Sequence, residues 1–456
     1  MEGKLKTSAQ KILKDAKKLF FVGIGGVSMS SLALHAKSEG FSVLGSDKED
    51  SRTIERLRES GIDVYIGHNA NNIDGCDAVI YTSAIGDDNA ELSAAKERGI
   101  PTMSRAEFMG AMMAESRVRI GISGSHGKST VTAMTAHMLK CANKAPTIMC
   151  GADIPDCVGG YAKGDGAFLF EACEYKDSFL SFSPNIAAIL NIDLDHVDYF
   201  SDIKQLKRSF SRFAHISYDD GGAVVVCADD STAMEATSDI FAITFGIDNE
   251  ADYKAENIVF ENGCATFDVY RIEEPFIKLT LSVPGRHNIY NALATVAIGC
   301  LMGISADVIA SSISEFKGVS RRFEKKCTVG GADVYIDYAH HPREIAAAID
   351  TAKSICHGKV ITLFEPHTYS RTRVLFDDFR ASFGGADVKL FSDIYAAREA
   401  LDESISSKML ADAVGGEYVA SYEAAADRIR ELANDGDIVL IVGAGKINTV
   451  SDLLGG

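Results

Sequence analysis

The sequence predicts an α/β protein of three domains, each built on a largely parallel sheet. Three observations predict it. At 456 residues the chain is too long for one core, and roughly two to four domains are expected. Two apolar runs, near residues 20 and 120, open into glycine turns that lead into helical patterns. The last third adds four more apolar runs, each closing on polar or charged residues.

Composition narrows the function classes. The chain is 46% hydrophobic, which fits a globular protein and not a disordered one. Its net charge of -18 argues against nucleic acid or an anionic membrane as the main partner, though a local nest of donors can still hold a small anion. The ten cysteines include no C-x-x-C pair, and Cys227, Cys300 and Cys356 lie in apolar runs where buried reduced thiols are expected. The charged start, Met1 to Thr7, lacks a signal-peptide core, and no run of about 18 apolar residues exists. A cytoplasmic location is therefore expected, for either a monomer or a homodimer.

The first unit, residues 1–116, is expected to be Rossmann-like. Lys18-Leu-Phe-Phe-Val22 reads as a buried strand, followed by a turn with Gly23, Gly25 and Ser28 in the three glycine places of a dinucleotide fold. A helix is expected over Met29–Lys37, then a strand over Phe41–Asp47 that ends on an acidic residue. Strands at Asp63–Ile66, Ala78–Ser83 and near Pro101–Met103 complete a doubly wound sheet.

The central unit, residues 117–318, carries the strongest motif. Ile120-Gly-Ile-Ser-Gly-Ser-His-Gly-Lys-Ser-Thr130 is strand, phosphate loop and helix start, in a shorter variant than the general pattern, which has glycine where Ile122 stands. Lys128 is placed to reach the β/γ-phosphates of ATP, with a Ser129 or Thr130 hydroxyl on Mg²⁺. A strand over Ala167–Glu174 brings Glu171 and Glu174 beside the loop, where a hard cation needs oxygen ligands. Another over Asn185–Asp193 delivers Asp195, His196 and Asp198 to the same sheet edge. A helix over Gln205–Phe213, strands at Ala223–Cys227 and Phe241–Phe245, and a β-meander over Tyr253–Val283 follow. The turn at Pro284-Gly285 then starts a helix with Asn288 and Asn291 on one face, where amides can pair with a base edge or cap the helix.

The third unit, residues 319–456, is expected to be a second Rossmann-like fold. Its strands are Asp333–Asp337, Lys359–Phe364, Val388–Phe391 and Asp437–Val442. Their tips gather His340, His341, His367, Arg371, Arg373, Arg398 and Lys446 in an otherwise acidic protein, and arginines there can clamp a carboxylate.

Seven motifs in order carry a family resemblance: Gly124–Thr130, Glu171-Ala-Cys-Glu-Tyr175, Asn191–Asp198, Gly285–Asn291, Ser320-Arg-Arg-Phe323, Asp337–Pro342 and His367–Arg373. Together they resemble the Mur ligases of peptidoglycan synthesis, from Gly23 to Gly445. The resemblance implies an ATP- and Mg²⁺-dependent ligase that joins the lactyl carboxylate of UDP-N-acetylmuramate to L-alanine through an acyl phosphate. It implies that Gly124, Ser125, His126, Gly127, Lys128, Ser129 and Thr130 hold the phosphates. Ser129 or Thr130, Glu174 and His196 would take metal, while His287, Asn291, Arg322 and Asp337 would hold the rest of the nucleotide. Gly25, Gly26, Val27, Asp47, His68 and Ser83 would contact the UDP-sugar, and His340 and Arg371 the muramyl and alanine pocket, with His340 a candidate base. Three departures stand out: Cys173 for aspartate, Ser129 for threonine, and Thr368 for a second arginine. The competing readings are a ligase of the same family that adds a tripeptide, a nicotinamide-dependent oxidoreductase using the first fold, and a nucleotide-binding regulator.

Overall fold

The computed structural model describes residues 7–82, 84–86, 88–152, 154, 157 and 159–455. Three sheets divide the chain. The first is fully parallel, with strands β1 (Lys18–Val22), β2 (Ser42–Asp47), β3 (Asp63–Ile66), β4 (Ala78–Tyr81) and β5 (Thr102–Ser104) in the order β3-β2-β1-β4-β5. β1 is central because it is apolar on both faces, with Leu19 to Val22 all buried. The helix after it runs Val27–Ser38, two residues earlier than its sequence pattern predicts.

The second sheet has ten strands in the order β15-β14-β13-β12-β11-β10-β6-β9-β7-β8. These are β6 (Arg119–Ser123), β7 (Thr147–Met149), β8 (Tyr161–Ala162), β9 (Phe168–Glu171), β10 (Ile186–Ile189), β11 (Ala223–Cys227), β12 (Ile243–Gly246), β13 (Tyr253–Glu261), β14 (Cys264–Arg271) and β15 (Glu274–Pro284). β6 lies between β10 and β9 in parallel register, Ile120 opposite Ile186 and Ile122 opposite Glu171. β13 to β15 form the expected antiparallel meander. Two predicted strands are shorter than expected. β9 stops at Glu171, where its pairing with β6 ends, so Glu174 stands on a turn that opens the 3-10 segment Tyr175–Ser181. β10 stops at Ile189, so Asp193, Asp195 and His196 sit on the loop beyond it.

The third sheet runs β16-β17-β21-β18-β19-β20, made of β16 (Glu324–Val329), β17 (Ala332–Asp337), β18 (Val360–Phe364), β19 (Val388–Phe391), β20 (Glu417–Tyr418) and β21 (Ile438–Val442). Only β16 is antiparallel, pairing with β17. The helix Pro342–Ile355 starts sharply, with proline in its first turn and a reciprocal cap between His341 and Glu344.

The two joints between these units differ in chemistry. Phe21 and Phe108 of the first unit belong to one continuous apolar cluster with Phe168, Phe170 and Phe182 of the second. Backbones meet there so closely that a Cβ on Gly110 would lie 2.2 Å from the Ser181 carbonyl. The third unit buries two clusters of its own, one on each face of its sheet. All ten cysteines are free thiols. Cys227 is buried as expected, but Cys300 and Cys356 are only half-buried, because each lies at a helix C-terminus; Cys141 alone is exposed. Among the described residues no helix is long and apolar enough to cross a membrane.

Candidate active site

β6 ends at Ser123 and the chain turns through Gly124 (φ +141°) and Gly127 (φ +83°) into the helix Lys128–Cys141. Gly127 is required twice over. Its φ is left-handed, and a Cβ there would come within 2.9 Å of Asn291 Oδ1. Ser125 Oγ is locked inside the protein, donating to the Asp193 carbonyl at 2.8 Å and accepting from its N–H at 2.9 Å. Lys128 curls back over the loop, donating to the Gly124 and Ser125 carbonyls and to both oxygens of Glu174, at 3.2 and 3.1 Å.

Glu174 is 1% exposed and also lies 3.5 Å from His196 Nε2. Burial would raise its pKa, but Lys128 and His196 outweigh it and hold the carboxyl below its usual range. His196 has a left-handed backbone, φ +51°. Burial opposes charge on its ring, yet Cys173, Glu174 and Asp195 prevail and lift its pKa to about 10. The three residues thus form one charged cluster: ammonium, carboxylate and imidazolium.

Above the loop lies a cavity of ≈ 1080 Å³. Its wall takes His126, Gly127, Thr130, His287 and Asn291 from the middle unit, and Arg322, Asp337 and Glu344 from the third. His287 is exposed to this cleft, whereas Ser129 is buried beneath the loop. Asn288 does not offer its amide to the cavity. Its Nδ2 donates to the Pro284 carbonyl at 2.7 Å and its Oδ1 accepts from Asn291 at 2.9 Å, so it braces its own helix. Asp337 accepts from the Phe323 and Ala339 N–H groups, both at 2.7 Å; burial still pushes its carboxyl up to about 6 against the pull of Arg322.

The seam between middle and third units is ionic. His126 places Nε2 3.1 Å from Asp193 and Nδ1 3.2 Å from Glu344 of the third unit, although the Asp193 contact is poorly aligned for a hydrogen bond. Burial disfavours its charge, but Glu344 and Asp193 together raise its pKa to about 9. Arg343 reaches Asp193 at 2.5 Å, and His341 Nε2 donates to the Leu194 carbonyl at 3.3 Å. Asp195, 4% exposed, accepts from Arg371 Nε at 2.9 Å and Nη2 at 2.7 Å. Arg371 Nη1 is taken by His367, so this guanidinium is committed within the protein. His340 donates Nδ1–H to the Tyr338 carbonyl at 3.0 Å, leaving Nε2 a lone pair 4.0 Å from Asp195. Burial lowers its pKa to about 4, with Arg371 adding to the effect, so the ring is neutral near pH 7. Sequence patterns identify these residue types but not their partners; Glu344, Arg343 and Asp193 had no functional expectation attached.

The first unit carries a separate cluster. Gly25 N–H donates to Asp47 Oδ2 at 2.8 Å, which ties the glycine turn to the tip of β2, and Gly26 and Val27 open the following helix. His68 sits beside fully buried Glu91 at 2.8 Å, with Ser46 and Asn72 donating to the same carboxylate. Ser83 lies outside the described residues.

A phosphate loop with a half-buried ammonium, facing a cavity that a second domain completes, defines a nucleotide-dependent enzyme of the three-domain α/β class. The family description "Mur ligase family, catalytic domain" matches residues 18–117, "Mur ligase middle domain" residues 122–299, and "Mur ligase, glutamate ligase domain" residues 321–445. The UDP-N-acetylmuramate–L-alanine ligase of Clostridium novyi is 45% identical, over 97% of this chain and 98% of its own. That of Caldanaerobacter subterraneus subsp. tengcongensis is 43% identical, over 96% and 97%. Among solved structures, the UDP-N-acetylmuramate–alanine ligase of Thermotoga maritima superposes with a TM-score of 0.81 at 29% identity, over 96% of this chain and 98% of that one. The chain belongs to the Mur ligase family. It is an ATP-dependent amide-forming ligase of peptidoglycan precursor synthesis.

Proposed function

We propose that the substrates are UDP-N-acetylmuramate and L-alanine, joined as an amide in the cytoplasm while ATP becomes ADP and phosphate. The observation that carries this reading is a phosphate loop whose His126, Gly127 and Thr130 line a cavity shared by two domains, and whose Lys128 is paired with Glu174 and, through it, His196. The division falls at residues 1–116 for the UDP-sugar, 117–318 for ATP and 319–456 for the amino acid.

The lactyl carboxylate is already ionised, so it needs no base to attack the γ-phosphorus. What it needs is relief from repulsion between two anions. Lys128 supplies one cation there. The donors fit Mg²⁺: the Glu174 carboxylate and a Ser129 or Thr130 hydroxyl are hard oxygens, and His196 adds a nitrogen once it gives up its proton. Bound there, Mg²⁺ supplies neutralisation of the phosphate charge. The acyl phosphate then takes the amine of alanine, phosphate leaves, and the surplus amine proton must be accepted. His340 is neutral and offers an Nε2 lone pair to receive it, as a weak base whose pKa burial holds down. Because the intermediate hydrolyses in water, the ionic seam serves to close the third unit over it.

The experiment is phosphate release with UDP-N-acetylmuramate, ATP and Mg²⁺, adding alanine, glycine, serine or a tripeptide in turn. Alanine should give the highest kcat/KM, and a preference for the tripeptide overturns the reading. Lys128→Ala should lose at least about 100-fold in kcat, as a stripped transition-state cation does. Retention within about tenfold refutes the phosphate-loop assignment.

A further inference from the structure

His137 and Cys141 lie four residues apart at the end of the helix Lys128–Cys141, so they share one face of it. His137 Nε2 stands 3.7 Å from Cys141 Sγ. Glu315, the last residue of the helix Ala306–Glu315, brings its carboxylate to the same spot. One ligand atom from each of the three lies within 4.8 Å of the other two. His137 is half-buried, while Cys141 and Glu315 are exposed, so solvent reaches the group. None of the three lines the cavity above the phosphate loop.

The packing beneath fixes this convergence. Met138 and Leu139 of one helix are buried in the same apolar cluster as Ile309 and Ile313 of the other. Gly299, on the helix His287–Leu301, lets them close up: a Cβ there would lie 2.8 Å from Met138 Sδ and 2.9 Å from Ile309 Cδ1. Packed helices, and not loops, therefore hold the three side chains, which is what a precise site requires.

The donor set decides what fits. One thiolate, one imidazole and one carboxylate suit Zn²⁺, whereas Mg²⁺ and Ca²⁺ want oxygens alone. Around a tetrahedral zinc ion the sulfur and nitrogen ligands sit roughly 3.6 Å apart. His137 and Cys141 already stand at 3.7 Å. The exposed carboxylate of Glu315 has at most about 1 Å to close, well within the reach of a side-chain rotation. Both helices end here, so the negative ends of two helix dipoles face the ion. Thiolate and carboxylate together cancel its double charge.

We propose that His137, Cys141 and Glu315 bind a thiophilic divalent cation of the Zn²⁺ type, with a fourth position open to water. Binding breaks the Cys141 S–H bond and forms a metal–sulfur bond; the proton goes to solvent and no electron moves. The ion acts as a staple. Glu315 directly precedes Phe316, Lys317, Gly318 and Val319, which line the nucleotide cavity on the way to the third unit. Metal here ties that connector to the far end of the helix that begins at Lys128.

The test uses full-length, reduced protein with excess Mg²⁺ present to cover hard-oxygen sites. Co²⁺ is the probe, because it takes tetrahedral ligands as Zn²⁺ does and its bond to thiolate absorbs in the near ultraviolet. Wild type should develop that band with one equivalent of Co²⁺, and Zn²⁺ should abolish it by displacement. Cys141→Ser should show no band. His137→Ala and Glu315→Gln should each raise the Kd at least about tenfold, since losing even an outer-shell partner costs that much. All three positions are at least partly exposed, so the variants should fold. Zn²⁺ should also raise the melting temperature of wild type more than that of Cys141→Ser. Absence of the band in wild type, or its survival in Cys141→Ser, overturns the proposal. An unchanged Kd in either His137→Ala or Glu315→Gln overturns the three-ligand site, and equal thermal shifts in wild type and Cys141→Ser overturn the staple.

Discussion

His126 is bonded across the seam between two domains, and its protonation should be readable as stability. The ring lies between Asp193 and Glu344, at 3.1 and 3.2 Å, with its side chain 15% exposed. Its pKa is raised from 6.5 to about 9. A raised pKa means that the native state binds the proton more tightly than the unfolded chain. The resulting stability is fully present below pH 6.5 and is lost as pH climbs through about 9. Within that window the unfolding free energy should fall by up to about 1.4 kcal/mol per pH unit, about 3 kcal/mol in all. His196, whose pKa also lies high, adds a slope of its own, so the diagnostic quantity is the difference between wild type and His126→Gln. Urea denaturation of the ligand-free protein from pH 6 to 9.5, following the first transition, supplies it. The wild-type midpoint should drop faster with pH than that of the variant. Parallel curves would refute a charged His126 in the seam.

Two further outcomes follow from the same geometry. Asp195→Asn strands the buried guanidinium of Arg371 and should cost about 3–5 kcal/mol in urea denaturation, while adding Arg371→Met should restore part of it. Strict additivity in that double-mutant cycle would show that the pair does not couple. Gly127→Ala places a Cβ 2.9 Å from Asn291 Oδ1 at φ +83°, so it should cost about 1–2 kcal/mol of stability and raise the KM for ATP. A melting temperature and KM equal to wild type would mean the loop has room that this geometry denies.

What could be read from the chain beforehand was local. Gly124 to Thr130 is contiguous, its chemistry is set by neighbouring residues, and strand and helix flank it as the apolar pattern implies. Where partners decide, the sequence was a poorer guide. The apolar run Ala167–Glu174 looks like one strand, yet β9 ends at Glu171, opposite Ile122 near the end of β6. β16 escaped notice because an edge strand reading Glu-Lys-Lys-Cys-Thr-Val is half solvated and shows little apolar alternation. Glu344 could have been flagged as the far half of a helix cap after His341 and Pro342, but nothing local tells that it also meets His126. Arg371 was legible as a carboxylate clamp; that its carboxylate is Asp195, across a domain boundary, was not.

The distribution of thiols has a practical consequence. Cys141, exposed while the other nine cysteines are sheltered to varying degrees, terminates the helix that begins at Lys128. Fourteen residues of helix put about 20 Å between the two, far enough for a maleimide dye to leave the nucleotide undisturbed. Such a fluorophore would travel on the same rigid rod as the phosphate-gripping ammonium. Paired with a second label on the third domain, it would let opening and shutting be timed one molecule at a time.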